Sequence, residues 1–122
     1  MIQFKPKKFK EKDLIDEVID YLEKVGCPFT QIKEKEADEI SKINSKSMVL
    51  RELKLEKDGK FYIAVQDKDC YRYTSKLLGN CGMKGITQDP KTRITRAYID
   101  YLGKALSTVE VLSLHYNLSI VN

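Results

Sequence analysis

The chain contains no uninterrupted apolar run approaching the roughly 20 residues of a membrane-spanning helix. Its opening, Met1-Ile-Gln-Phe-Lys-Pro-Lys-Lys-Phe-Lys10, has no apolar signal core. Cysteine is scarce and odd in number: Cys27, Cys70 and Cys81. An odd count without a leader points to free thiols in a reducing compartment, the cytoplasm. His115 is the single histidine, and no C-x-x-C pair accompanies it, so neither a zinc site nor any other metal is expected. No nucleophile elbow, catalytic triad or paired-carboxylate spacing appears. The Gly-rich stretch Gly79-Asn-Cys-Gly-Met-Lys-Gly85 matches neither the P-loop nor the dinucleotide fingerprint. It reads as a turn, and no cofactor is expected.

What is present suits one small globular domain. The 122 residues are 42% hydrophobic and 33% charged, enough for a core beneath a densely charged surface. These values exclude an acidic disordered tail, a collagen-like chain and a disulfide miniprotein. The net charge of +4 is unevenly distributed: residues 1–12 carry a net of +4, residues 13–69 a net of −4, and residues 70–122 a net of +4. A basic face forms if the two positive regions meet in space; otherwise the same charges make a solvated surface. Residues 1–12 are expected to be a basic tip with freedom to move, and residues 13–122 the folded domain.

Periodicity supplies the elements. Leu14, Ile15, Val18, Ile19, Leu22 and Val25 make one helical stripe over residues 11–25, stopped by Gly26. Phe29–Ile32 reads as a short strand and residues 34–44 as a short helix. Residues 47–56 and 60–66 read as a hairpin around Asp58-Gly59. The apolar run Phe61–Val65 suits a central strand. Residues 72–79 suit a helix ending at Gly79. Residues 89–102 place Ile94, Ala97, Tyr98, Tyr101 and Leu102 at helical spacing behind Asp89-Pro90, a helix-start signal. Val109–Leu114 and Leu118–Val121 read as the last strands. The expected fold is α+β, a single domain with a mixed sheet and flanking helices, in the order α-β-(α)-β-β-(α)-β-α-β-β.

Candidate binding chemistry lies in the basic second half. Lys91, Arg93 and Arg96 form a basic edge if residues 89–102 are helical, and Arg72 and Lys76 lie on the preceding helix. Such cations suit phosphate oxygens. Tyr71, Tyr73, Tyr98, Tyr101 and Tyr116 accompany them, and tyrosines beside cations stack on bases. Tyr98 and Tyr101 serve equally well as core residues of that helix. His115 suits a structural role more readily than that of a general base. Ser107, Thr108 and Ser113 suit local backbone partners.

Several strings, in order, resemble the freestanding prolyl-tRNA editing domains, a family of aminoacyl-tRNA deacylases. Tyr21-Leu-Glu-Lys-Val-Gly-Cys-Pro-Phe-Thr30 is similar to the family's helix end and following strand. Leu53-Lys-Leu-Glu-Lys-Asp-Gly-Lys-Phe-Tyr-Ile-Ala-Val65 resembles its central hairpin, and Thr74-Ser-Lys-Leu-Leu-Gly79 its L-x-x-L-L-G helix. Tyr101-Leu-Gly-Lys-Ala-Leu-Ser-Thr-Val-Glu-Val-Leu-Ser-Leu114 resembles the L-L-G-V-x-P-G-S-V-S-P-F-G-L segment. The resemblance implies binding of the aminoacylated 3′ end of tRNA, with hydrolysis of the ester. It puts the family's substrate-holding Lys at Arg51 in the tighter register or Lys46 in the looser one. It makes Ser107, Thr108, Ser113 and His115 the wall of a substrate pocket. The S-P-F-G loop is replaced by Glu110-Val-Leu-Ser113, and the family's His-Pro stretch has no counterpart.

Three functions follow as expectations. One is a divergent aminoacyl-tRNA deacylase. The second is a non-catalytic binder of RNA or a nucleotide-bearing ligand. The third is a protein-interaction module, such as a phage- or plasmid-type inhibitor.

Overall fold

A computed structural model describes residues 9–70 and 72–122. The chain forms one α+β domain, with a mixed sheet flanked by helices. Its elements are β1 (Lys12–Asp13), α1 (Ile15–Val25), β2 (Thr30–Ile32), α2 (Glu34–Ser41), β3 (Ser47–Leu55), β4 (Phe61–Asp67), α3 (Arg72–Asn80), β5 (Lys84–Asp89), β6 (Ile94–Ile99), α4 (Leu102–His115) and β7 (Asn117–Val121). The sheet runs β2-β7-β3-β4-β6-β5, and β1 pairs with the end of β3. β7 is parallel to β2 and β3, and the remaining pairs are antiparallel.

α1 forms because Ile15, Val18, Ile19 and Leu22 share a stripe that buries against the sheet. Asp13 Oδ1 accepts the Ile15 amide at 2.9 Å, and Gly26, at φ 76°, closes the other end. Asp58-Gly59 makes the β3–β4 turn as expected, with Gly59 at φ 80°. The Phe9 ring lies over Gly59, where a Cβ would collide with it. The described part of the basic tip is thus held on the hairpin, and residues 1–8 of that tip lie outside the described residues. The glycine-rich stretch turns after α3, with the Met83 amide returning to the Leu78 carbonyl at 3.1 Å.

Lys12–Asp13 is a strand where the helix over 11–25 is expected to begin, Lys84–Asp89 is a strand that follows the expected turn, and two longer stretches differ in kind from the sequence reading. Residues 94–99 are a strand rather than part of a helix over 89–102. Asp89 Oδ1 does accept an amide, that of Lys91 at 3.0 Å, but in the turn of the β5–β6 hairpin. Thr95, Ala97 and Ile99 point into the core and Arg96 outward, an alternation that the helical spacing of Ile94, Ala97 and Tyr98 obscured. Residues 102–115 are one unbroken helix rather than a strand over 109–114. Ala105, Thr108, Val109, Leu112 and Ser113 are its buried residues, a spacing that only a helix places on one face.

One sheet face carries α1, α3 and α4. Leu22, Met48, Leu50, Leu53, Leu78, Ile99, Leu112 and Ile120 are fully buried between them. The other face is half covered: α2 packs over Ile32, Val49 and Val121 through Ala37 and Ile40. The rest of that face, over β3, β4, β6 and β5, carries no helix among the described residues. No helix among the described residues is long and apolar enough to cross a membrane.

Candidate nucleic-acid interface

The boundary between the covered and open halves is a polar clamp. Gln66, buried on β4, donates to Asp38 Oδ1 at 3.1 Å and to the Thr92 carbonyl at 2.7 Å, and accepts from Arg51 Nη1 at 2.7 Å. Arg51 also meets Glu34 at 3.4 Å. Arg93 binds Asp38 Oδ1 at 2.7 Å and the Asp67 carbonyl at 2.9 Å, and its side chain is only 14% exposed. Arg93 occupies the left-handed region at φ 62°, held there by its amide bond to the Asp89 carbonyl at 2.8 Å. Arg51 and Arg93 therefore spend their guanidinium groups on fastening α2 to the sheet.

Beyond the clamp, register builds two rows across the open half. Lys54 lies beside Tyr62, Tyr62 beside Tyr98, and Tyr98 beside Lys84. Two residues further along β3, β4 and β6, Glu52 lies beside Ala64, Ala64 beside Arg96, and Arg96 beside Thr87. Partners in register project to the same face. The first row is thus cation, aromatic, aromatic, cation.

The aromatic pair is well fixed. The rings of Tyr62 and Tyr98 have centroids 5.4 Å apart at an interplanar angle of 42°. The Tyr62 hydroxyl donates to Asp58 Oδ2 at 2.6 Å. That carboxylate, chiefly through this bond, pushes the Tyr62 hydroxyl up to about 12. Lys60 Nζ sits 4.7 Å from the Tyr98 ring centroid. Gly85, at φ 60°, leaves room for the Tyr98 ring to lie over β5, since a Cβ there would run into it. Glu52, Lys54, Tyr62 and Arg96 border a shallow cleft of about 370 Å³ on this face.

A second cleft, of about 290 Å³, opens at the other end of β4. It brings together Lys46, in the loop before β3, and His115, the last residue of α4, with Lys68, Asp69 and Tyr73. His115 Nδ1 lies 3.5 Å from the Tyr73 hydroxyl. Asp67 Oδ2 accepts the Thr74 hydroxyl at 2.7 Å within the cleft wall. Burial raises the Tyr116 hydroxyl above its ordinary value, against a lowering hydrogen bond with Thr74.

The remaining sequence candidates are dispersed. Ser107, Thr108 and Ser113 lie along α4, where their hydroxyls return to the carbonyls of Gly103, Lys104 and Glu110 at 2.9, 2.8 and 2.7 Å. Arg72 and Lys76 are exposed on α3, beside the equally exposed Tyr73. Lys91 is exposed at the β5–β6 turn. Of the five cations singled out for nucleic acid, Arg96 alone stands on the aromatic rows. Of the tyrosines, Tyr98 stands there, Tyr101 is exposed before α4, Tyr116 is buried, and Tyr71 lies outside the described residues. Lys54, Lys60, Tyr62 and Lys84 carry no local motif; a period of two over residues 94–99 puts Arg96 and Tyr98 on one face, and strand register then sets Tyr62 beside Tyr98.

Among the described residues, no group of three His, Cys, Asp or Glu side chains is placed to hold a metal ion. The three cysteines are free thiols. Comparison with known proteins finds no matching family model, no matching curated protein and no matching solved structure.

Proposed function

We propose that the protein is a non-catalytic single-stranded RNA-binding domain whose platform is the open half of the sheet. The observation that carries this reading is the row Lys54-Tyr62-Tyr98-Lys84 on a face that no helix among the described residues covers. Aromatic faces stack on any base, at about 1–3 kcal/mol per base, and flanking cations meet the phosphates. The half-buried tyrosines are held in place by Asp58, Lys60 and each other, so little ordering entropy remains to be lost on binding. Free thiols suit a reducing compartment, the cytoplasm.

The test is fluorescence anisotropy with a labelled oligouridine of roughly ten nucleotides, the length scale of single-strand sites. Binding should weaken steeply between about 50 and 200 mM salt. Tyr62→Ala and Tyr98→Ala should each cost about five- to a hundredfold in affinity. Absence of binding at low salt, or affinity indifferent to both substitutions, removes the reading.

A second reading, aminoacyl-ester hydrolysis at the 3′ end of tRNA, draws support from Lys46 and His115 sharing one cleft. It keeps those two residues and dispenses with the 107–113 wall, which is helical. Incubation with tRNA carrying a mismatched small amino acid tests it: release of the amino acid no faster than in buffer rejects it.

A further inference from the structure

Between two cations of the rows, Lys54 and Arg96, sits a carboxylate. Glu52 Oε1 meets Lys54 Nζ at 3.4 Å, and Glu52 Oε2 meets Arg96 Nη1 at 3.4 Å. Glu52 and Arg96 stand two strands apart, about 10 Å between backbones. They meet because Ala64, between them in register, carries only a methyl group, too short to obstruct them. Ala64 is 1% exposed although it faces the open side, so the neighbouring side chains close over it. All three charged groups are well exposed, at 41% for Glu52, 44% for Lys54 and 57% for Arg96. Exposed pairs at this distance are weak, worth about 0–1 kcal/mol each. The carboxylate is therefore held in position but easily displaced.

We infer that Glu52 occupies the seat of a backbone phosphate, and that one phosphodiester of the bound strand takes its place between Lys54 and Arg96. This deepens the platform reading and rests on it. The chemistry is an exchange of one oxyanion for another. A tetrahedral phosphodiester offers two unesterified oxygens to the two cations that the two carboxylate oxygens now engage. The seat adjoins Tyr62, which is next to Lys54 in register, so a base stacked on Tyr62 would carry its phosphate toward it. Glu52 also repels a phosphate until it swings away, which makes it a brake on affinity and a selector for strands that can supply both stacking and charge.

The experiment is anisotropy titration of wild type, Glu52→Gln, Arg96→Gln and the double variant with the same labelled oligouridine. A matched oligomer with uncharged methylphosphonate linkages is run beside it. Glu52→Gln keeps the shape and removes the charge. It should bind roughly three- to tenfold more tightly, the size of one or two surface ion pairs. Its salt slope should steepen by about 0.7, one further phosphate neutralised. The gain should disappear in the Arg96→Gln background and on the uncharged oligomer. If wild type binds and loses affinity with Tyr62→Ala, yet Glu52→Gln is unchanged or weaker, the seat is wrong and the platform stands. If neither wild type nor Glu52→Gln binds, the platform fails and the seat with it.

Discussion

Arg93 reaches Asp38 at 2.7 Å across 55 residues of sequence, joining the β5–β6 turn to α2. This contact, with Gln66 beneath it, fixes which half of the outer sheet face α2 covers and leaves the other half to the tyrosine rows.

Asp38 is held below its ordinary 3.8 by hydrogen bonds from Lys42 first and Arg93 second. A lowered folded value means that the unfolded chain binds the proton more readily. The stabilisation is present above about pH 4 and is lost as pH falls through the folded value. Asp38→Asn should lower the melting temperature at neutral pH and show a smaller decline between about pH 6 and pH 3 than wild type. Thermal melts followed by circular dichroism at several pH values check both.

Tyr62, raised to about 12 by Asp58, should ionise well above the ordinary 10.0. Asp58→Asn removes the largest cause and should bring it back toward the ordinary 10.0. Ultraviolet titration of the phenolates in the two proteins, compared with Tyr62→Phe, reads the shift directly.

Gly85→Ala places a methyl group at φ 60° and against the Tyr98 ring. The left-handed backbone alone costs about 1–2 kcal/mol, and displacement of the ring adds to that. Urea denaturation should show the loss. RNA affinity should fall as well, because Tyr98 can no longer lie over β5.

Ser107→Ala and Leu112→Ala separate a helix from a pocket wall. Ser107 is exposed mid-helix with its hydroxyl turned back to Gly103, so alanine should be neutral or stabilising by up to about 0.5 kcal/mol. Leu112 is fully buried, and its truncation should cost about 2–5 kcal/mol. A large loss at Ser107 would contradict the helix.

The parts of this fold legible in the sequence are those where local chemistry has one solution. The stripe of α1 with Gly26 behind it, and Asp58-Gly59 between two apolar runs, leave little choice. The span 89–114 was misread because two periods fit it. Ile94, Ala97 and Tyr98 satisfy a helix, while Thr95, Ala97 and Ile99 satisfy a strand, and long-range pairing with β4 selects the second. Asp89-Pro90 begins a turn with the same side-chain bond that begins a helix. Val109 and Val111 favour strands by propensity, yet packing against the sheet overrides this for α4. The site suffered most from these two exchanges. Arg96 and Tyr98 were visible as residues, but their partners Lys54, Tyr62 and Lys84 belong to three other positions in the chain that only sheet register brings alongside. Lys46 and His115 meet in space, 69 residues apart in sequence, because β7 starts beside the loop that carries Lys46: the Asn117 amide donates to the Lys46 carbonyl at 2.8 Å.

The most direct test is mapping of backbone amide shifts by nuclear magnetic resonance during titration of the wild-type protein with oligouridine. Shifts should concentrate at Glu52, Lys54, Tyr62, Ala64, Lys84, Arg96 and Tyr98 and spare Lys46, Lys68 and His115. Shifts gathered around Lys46 and His115, or none above those caused by salt alone, would contradict a sheet-face platform.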